Sequence, residues 1–250
     1  MEKLLTIAME IGEQMLISGA EVHRVEESVK RICNSFGALR TDVFIITSSM
    51  VVTVFTEDGG YFTQTRRIKS VGTDYEKLHK LNQLSRRICT EKLDIETINS
   101  ELEKAKNCKN YPFFIECLCF MVIAAAFTLF FGGNLIEIII SAFVGLLVRI
   151  GILFSEKTIN SKIFSKFFSS VIATVLAFLV LKLGFVESVD KIIIGNIMTL
   201  IPGIGLTNAI RDLFTGDSIA GLLRLIEAVL TALAIAAGYF LVVIVGGAIL

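Results

Sequence analysis

Long apolar stretches in the second part of the chain constrain its fold more than any other feature. About 20 helical residues, each rising 1.5 Å, are needed to cross the ~30 Å hydrocarbon core of a bilayer. Three stretches have about that length, one is shorter and one is longer: residues 113–131, 135–154, 167–185, 192–206 and 222–250. They predict an all-α bundle of about five transmembrane helices, one of them discontinuous.

Charged residues are concentrated before these stretches, which indicates a separate domain. The chain has 24 Lys and Arg and 24 Asp and Glu residues, of which 16 of each lie in residues 1–110 and 8 of each in residues 111–250. Both parts are neutral, so the chain lacks the basic excess with which proteins bind nucleic acid. We predict a domain at 1–110, a transmembrane helical domain at 111–250, and no nucleic-acid partner.

The predicted first domain is α+β. Two amphipathic helices open it, and between them Ser18 and Glu21 have the spacing of a capping box. Residues 40–56 are rich in Val, Ile, Phe and Thr, and a turn sequence at 57–60 leads into a similar segment. This composition favours a small antiparallel sheet of about three strands. Two further helices complete the domain, with the helices packed against one face of the sheet.

Lysines flanking the apolar stretches predict the orientation. They precede the first stretch and separate the second from the third: Lys104, Lys106, Lys109, Lys157, Lys162 and Lys166. Short loops rich in Lys and Arg stay on the cytoplasmic side. The first residues also lack the continuous apolar core of a signal peptide. We therefore expect a cytoplasmic amino-terminal domain, with the turn at Asn134 and the terminal Leu250 outside.

The fourth apolar stretch is interrupted by Pro202 and Gly203, and polar residues follow it: Asn208, Arg211, Asp212, Asp217, Arg224 and Glu227. An ionisable side chain at the hydrocarbon level costs about 2.5–3.5 kcal/mol on insertion scales. Broken helices are tolerated at that depth where they line a water-filled site. We therefore predict a solute site here. In the alternative, residues 208–221 are a loop that only joins two helices.

The chemistry of these residues suggests their roles. Arginine can hold a carboxylate through two hydrogen bonds, and the amino end of a half-helix adds its dipole. The predicted substrate-binding residues are Pro202, Gly203, Asn208, Arg211 and Arg224. A carboxylate without a cationic partner favours its protonated form in a partly desolvated cavity. The predicted proton-coupling residues are Asp212, Asp217 and Glu227, with Glu227 first because its neighbours are apolar. Alternatively, Arg224 and Glu227 only neutralise each other on one helix face.

No motif for catalysis or cofactor binding is present. The sequence contains no G-x-S-x-G, P-loop or H-E-x-x-H pattern. Its 5 cysteines have no C-x-x-C spacing, and it has only 2 histidines. We predict no metal, no cofactor and no catalytic residue. A membrane-anchored enzyme and a regulatory scaffold stay as alternatives from different functional classes.

Two residue strings carry a resemblance to a known family: SGAEVHRVEESV at 18–29 and LIPGIGLTNAIRDLFTGDSIAGLLRLIEA at 200–228. The segments 65–67 and 81–87 also fit. The chain resembles the amino-terminal component of the threonine/serine exporter family, including the short separate subunits that export succinate. The likeness covers nearly the whole chain. It implies a cytoplasmic α+β domain, about five spans, and export of a small hydrophilic metabolite driven by the proton-motive force.

The resemblance also implies partners. Fused family members carry a second membrane block that is missing here, so we expect a separate small membrane subunit, a hetero-oligomer and contact with membrane lipid. The expected location is the bacterial inner membrane. We expect threonine or serine as the solute, with succinate or another dicarboxylate as the alternative. On the first domain, we predict a gating or interaction surface formed by Glu21, Arg24, Glu26 and Arg67.

Overall fold

The computed structural model describes residues 1–108, 111–158 and 161–247. The chain divides into two compact units. The α+β unit comprises Met1–Lys109 and Gly205–Leu225, and the helical unit comprises Asn110–Ile204 and Ile226–Leu250. The segment Gly205–Leu225 therefore belongs to the first unit. The sequence had predicted two consecutive domains, with this segment in the second one.

The α+β unit begins with two helices, a three-stranded sheet and two further helices. They are α1 (Glu2–Ile17), α2 (Val22–Ser35), β1 (Arg40–Ile46), β2 (Ser49–Phe55), β3 (Tyr61–Arg67), α3 (Tyr75–Glu91) and α4 (Ile95–Lys106). The strand order is β1-β2-β3 and both pairs are antiparallel. The predicted small antiparallel sheet is confirmed.

One face of the sheet is buried. Along β2, Met50, Val52 and Val54 are completely buried and alternate with partly exposed residues. Successive side chains of a strand point to opposite faces, so this alternation places one face in the core. The same core contains Val25 and Val29 of α2.

The turn between α1 and α2 differs from the predicted capping box. Ser18 is the C-cap of α1, and Gly19 follows with φ +92°. The N–H groups of Gly19 and Ala20 donate to the carbonyls of Leu16 and Met15, both at 3.0 Å. This is a Schellman ending, which needs the positive φ that glycine adopts readily. The capping box is therefore wrong, because Ser18 closes the first helix rather than opening the second.

The remaining helices are α5 (Phe113–Phe130), α6 (Leu135–Thr158), α7 (Lys162–Lys182), α8 (Asp190–Met198), α9 (Gly203–Thr215) and α10 (Ser218–Gly247). Within the described residues, 4 helices are long and apolar enough to cross a membrane. The pair α8 and α9, bent by 54° at a short break that contains Pro202, makes up to 5. This finding agrees with the prediction of about five spans, one of them a discontinuous helix. The protein is a multi-pass membrane protein.

Small residues allow the helices of the helical unit to pack closely. A Cβ at Gly145 would lie 2.9 Å from the Cβ of Ala124, and one at Gly195 would lie 2.1 Å from the Thr128 Oγ1. A Cβ at Gly238 of α10 would lie 2.6 Å from a carbonyl oxygen of α7. Close contact through small residues is typical of membrane helices. Gly238 therefore packs inside this unit.

Several polar side chains inside the helical unit have polar partners. Asn196 is completely buried, and its Nδ2 donates to the Ser141 Oγ at 2.9 Å. The Arg149 Nε donates to the Glu116 Oε2 at 3.1 Å. The Lys191 Nζ lies 3.6 Å from a Glu137 carboxylate oxygen. Such pairing lowers the cost of holding polar groups in an apolar bundle.

Part of the predicted orientation rests on Lys109 and Leu250, which lie outside the described residues. The side chain of Lys157 does as well. The orientation therefore stays a prediction.

Candidate functional site

The polar segment that follows the broken helix forms a closely packed helical hairpin in the α+β unit. Its turn lies at Gly216, which has φ +97°. Across the turn, the Asp217 N–H donates to the carbonyl oxygen of Asp212 at 2.9 Å. A Cβ at Gly221 would lie 2.9 Å from the carbonyl oxygen of Ala209. The hairpin thus fixes α9 and the start of α10 against each other.

Two charged residues of this hairpin form a buried ion pair. Asp212 is completely buried and Arg224 is 7% exposed. The Arg224 Nη1 lies 3.0 Å from the Asp212 Oδ2, and its Nη2 donates to the carbonyl oxygen of Ala20 at 2.8 Å. The backbone N–H of Val22, in the first turn of α2, also interacts with the Asp212 carboxylate. The pair ties the hairpin to the turn between α1 and α2.

A second ion pair at the same turn is open to solvent. The Arg211 Nη1 donates to the Glu21 carboxylate. The Arg211 side chain is 58% exposed and the Glu21 side chain 18%. Beside them, the Asn208 Nδ2 donates to the carbonyl oxygen of Gly19 at 3.4 Å. A guanidinium this exposed can exchange its carboxylate partner for that of a solute, whereas the guanidinium of Arg224 is enclosed.

The second acidic residue of the hairpin, Asp217, lies near Glu26 of α2. Burial raises the pKa of Glu26 above its ordinary value, and the nearby Asp217 raises this pKa further. Lys30 lowers the pKa of Glu26 but does not cancel the effect of burial. The Asp217 Oδ2 is buried and has no hydrogen-bond partner among the described residues. Glu26 therefore binds a proton more readily than an ordinary glutamate does.

A cavity of about 300 Å³ opens beside the exposed ion pair, within the α+β unit. Its volume lies at the lower end of the ~300–1,000 Å³ range of ligand sites. Its polar lining residues are Glu21, Arg24, Tyr75, Asn82, Asn208 and Arg211. Two guanidinium groups and one carboxylate can hold a small solute that carries a carboxylate and an ammonium group, or two carboxylates.

The structure unites most of the predicted site residues, but not all of them. Pro202 and Gly203 belong to the helical unit, where they mark the break between α8 and α9. Glu227 also belongs to the helical unit and is exposed on α10. Arg67 is exposed at the end of β3, opposite Ser49, and does not line the cavity. The alternative in which Arg224 is neutralised by Glu227 is replaced by its pair with Asp212.

Sequence reasoning missed the contribution of α3 to this cavity. Tyr75 and Asn82 lie on α3 and line the cavity. Asn82 belongs to the segment 81–87 that supported the family resemblance, which is the signal that could have found it. Because Asn82 is far from residues 21 and 211 in the sequence, the sequence alone did not indicate that the three residues line one cavity.

The described residues contain no group of three or more His, Cys, Asp or Glu side chains placed to hold a metal ion. Cys33 is buried, and burial raises its pKa to about 12. A thiol with so high a pKa is a poor nucleophile at neutral pH. The polar cavity is therefore the candidate functional site.

Comparison with known proteins agrees with the resemblance read from the sequence. Residues 6–246 match the family model described as "Putative threonine/serine exporter". A protein of Mycobacterium tuberculosis named "Probable threonine/serine exporter" is 22% identical over 240 residues. The alignment covers 94% of this chain and 45% of that relative, so the chain spans less than half of the relative's length. No solved structure matches.

Proposed function

Because the chain belongs to the threonine/serine exporter family, we propose that it is a subunit of a secondary exporter driven by the proton-motive force. Its solutes are small hydrophilic carboxylates, with threonine and serine as the first choice. Succinate or another dicarboxylate is the second choice, because two arginines line the cavity. Family membership indicates a transporter. Among the described residues, no arrangement of side chains favours an enzyme over a transporter.

The observation that carries this proposal is the polar cavity in the α+β unit. Arg211 already holds a carboxylate there, that of Glu21, and remains largely exposed. A solute carboxylate would take the place of Glu21 on Arg211, and the released Glu21 would receive the ammonium group of an amino acid. Arg24 lines the same cavity and supplies a second cation for a dicarboxylate.

For proton coupling, we assign Glu26 and Asp217 as the first proton-binding pair. Two carboxylates that share a partly buried site bind one proton more tightly than an isolated carboxylate does. Asp217 lies in the turn after α9, the helix that carries Arg211, so protonation of the pair acts on the same hairpin as solute binding. Asp212 is held by Arg224 and serves the packing of the hairpin. Glu227 is the second candidate for the proton carrier.

A second membrane subunit belongs to this proposal, and α10 offers a surface for it. Glu227 is exposed among Ile226, Val229 and Leu230, which are 48%, 48% and 45% exposed. A carboxylate on a lipid-facing surface is costly, so a polar group of a neighbouring subunit would stabilise it. We place the amino-terminal part on the cytoplasmic side of the bacterial inner membrane, as its lysines suggest.

Efflux from vesicles tests this proposal. Vesicles containing this chain together with its neighbouring membrane subunit should release labelled threonine, serine or succinate in response to a proton gradient. Vesicles that contain either protein alone should not. Full efflux by this chain alone would contradict the assignment as a subunit, and no efflux of any of the three solutes would contradict the exporter function.

A further inference from the structure

A second cavity of about 160 Å³ lies between α2 and α3, and it shares Arg24 and Asn82 with the candidate solute site. Its polar lining comes from one face of each helix. Helix α2 contributes Arg24, Glu27, Ser28 and Arg31, and helix α3 contributes Asn82, Ser85 and Arg86. Residues three, four and seven positions apart share a helix face, so both helices present a continuous polar surface to this cavity.

The charge of this cavity is strongly positive. Three guanidinium groups and one carboxylate line it, which gives a net charge of +2. The carboxylate, that of Glu27, is already paired with Arg31. Within the described part of the chain, Arg24 and Arg86 have no ion-pair partner, although both face the same cavity. Arg24 and Arg86 are both exposed to solvent, and an anion bound between two such like charges would lower their mutual repulsion.

The hydrogen-bond donors around these arginines narrow the class of ligand. Ser28 and Ser85 line the cavity beside the arginines, and Ser85 is only 5% exposed. A phosphate group carries about −1.5 to −2 charges at pH 7 and three acceptor oxygens, which matches a site of +2 with several N–H and O–H donors. The cavity is smaller than the ~300 Å³ at which ligand sites usually begin. We propose that it binds the phosphate group of a small soluble metabolite.

Arg24 lines both this cavity and the candidate solute site. An anion that holds the Arg24 guanidinium on the α3 side removes one cation from the solute site. The phosphate site would then lower the affinity for solutes that need two cations. This consequence rests on the proposed function, whereas phosphate binding itself does not.

The test is a titration of the purified full chain with inorganic phosphate, in nanodiscs of phosphatidylcholine at constant ionic strength. Arg86→Gln should weaken phosphate binding about tenfold or more, as loss of a charge-assisted hydrogen bond predicts. Arg87→Gln is the matched control. Arg87 is next to Arg86 in the sequence, but its guanidinium pairs with Glu91 and Glu101 and does not line the cavity. This control should bind phosphate like the unchanged protein.

Three results would overturn the proposal. They are the absence of saturable binding, an equal effect of Arg86→Gln and Arg87→Gln, and tighter binding of succinate than of phosphate at this site. A further result would show that the phosphate group comes from a lipid and not from a soluble metabolite. If nanodiscs that contain phosphatidylglycerol abolish phosphate binding, the cavity binds a lipid headgroup instead. Because Arg86 does not line the solute site, Arg86→Gln should leave threonine binding intact, which separates this test from that of the exporter.

Discussion

Arg211 and Arg224 belong to the same segment but have opposite surroundings. Arg224 is enclosed, with Asp212 and the Ala20 carbonyl as its partners. Arg211 is 58% exposed and pairs with Glu21 at the cavity. Both were predicted to bind substrate from their residue type alone. Their different burial separates a residue that stabilises the fold from one that can exchange partners.

The first prediction follows from the burial of Arg224. Arg224→Leu leaves the Asp212 carboxylate buried without a cation, which costs about 3–5 kcal/mol in comparable buried pairs. Arg211→Gln removes an exposed ion pair and should cost about 1 kcal/mol or less. Thermal unfolding of the detergent-solubilised protein, followed by circular dichroism, measures both changes.

A double variant is the control for this prediction. Replacing Asp212 and Arg224 together by leucine removes both buried charges and should recover most of the stability that Arg224→Leu loses. Equal unfolding midpoints for Arg224→Leu and Arg211→Gln would contradict the structural role of the buried pair.

The second prediction concerns Glu26 and pH. The pKa of Glu26 is raised above 4.5 in the folded protein, first by burial and then by Asp217. The folded state thus binds this proton more tightly than the unfolded state does. The resulting stability is complete below the ordinary pKa and is lost as pH rises through the higher folded-state pKa. Lys30 and His23 lower the pKa of Glu26 and limit this effect.

Glu26→Gln mimics the protonated form and should therefore raise the unfolding midpoint at pH 7.5 but not at pH 4. Glu27→Gln is the control, because Glu27 is exposed and pairs with Arg31. The unfolding midpoint measured across this pH range checks the prediction. An equal response of both variants at every pH would show that burial of Glu26 has no influence on its ionisation.

At the scale of single elements, the turn between α9 and α10 determines the geometry of the site. A Cβ at Gly221 would lie 2.8 Å from both the Leu213 backbone nitrogen and its Cγ. The third prediction is that Gly221→Ala separates the two helices and destabilises the protein by about 1–3 kcal/mol, as overpacked sites do. Gly203→Ala is the matched control at the start of α9, because nothing lies within 4 Å of its added Cβ.

Unfolding midpoints and solute binding measure this effect together. Gly221→Ala should lower both, because Asp212, Asp217 and Arg224 hold their positions through the turn. If Gly221→Ala unfolds at the same temperature as Gly203→Ala and binds solute equally well, the hairpin is not packed as described.

The elements themselves were largely predictable from sequence, because each follows from local periodicity or length. The apolar stretches predicted the membrane-spanning helices, and the composition of residues 40–56 with the turn sequence at 57–60 predicted the strands. The turn at Gly19 was not predicted, since Ser18 and Glu21 fit a capping box equally well by spacing alone. The positive φ of Gly19 shows that this turn is the Schellman ending of α1 and not a capping box at the start of α2.

The cavity was less predictable, because it depends on contacts between residues far apart in sequence. Glu21 and Arg211 were both predicted as functional residues, but in two different sites and with different roles. Their pairing depends on how segment 205–225 packs within the α+β unit. Sequence spacing also could not predict that Asp212 is the partner of Arg224. Spacing suggested Glu227 as the partner, because Glu227 lies three residues from Arg224 on the same helix.

At the scale of the whole molecule, the fourth prediction concerns orientation across the membrane. Single cysteines placed at Asn134 and Ser188 should react with a membrane-impermeant reagent in intact cells. Cysteines at Ser70 and Ser161 should react only after the membrane is opened, because lysine-rich segments stay inside. Labelling of residue 70 in intact cells would contradict the proposed cytoplasmic position of the amino-terminal part.

The central claim is that the cavity beside Arg211 binds the carboxylate of the exported solute. Equilibrium binding of labelled threonine, serine and succinate to the purified full chain tests it most directly. Arg211→Gln should weaken binding of the preferred solute about tenfold or more, since a charge-assisted contact is lost. Arg66→Gln, which removes an ion pair with Glu13 that is not part of the cavity, should leave binding unchanged. Unchanged binding by Arg211→Gln, or an equal loss in both variants, would contradict the claim.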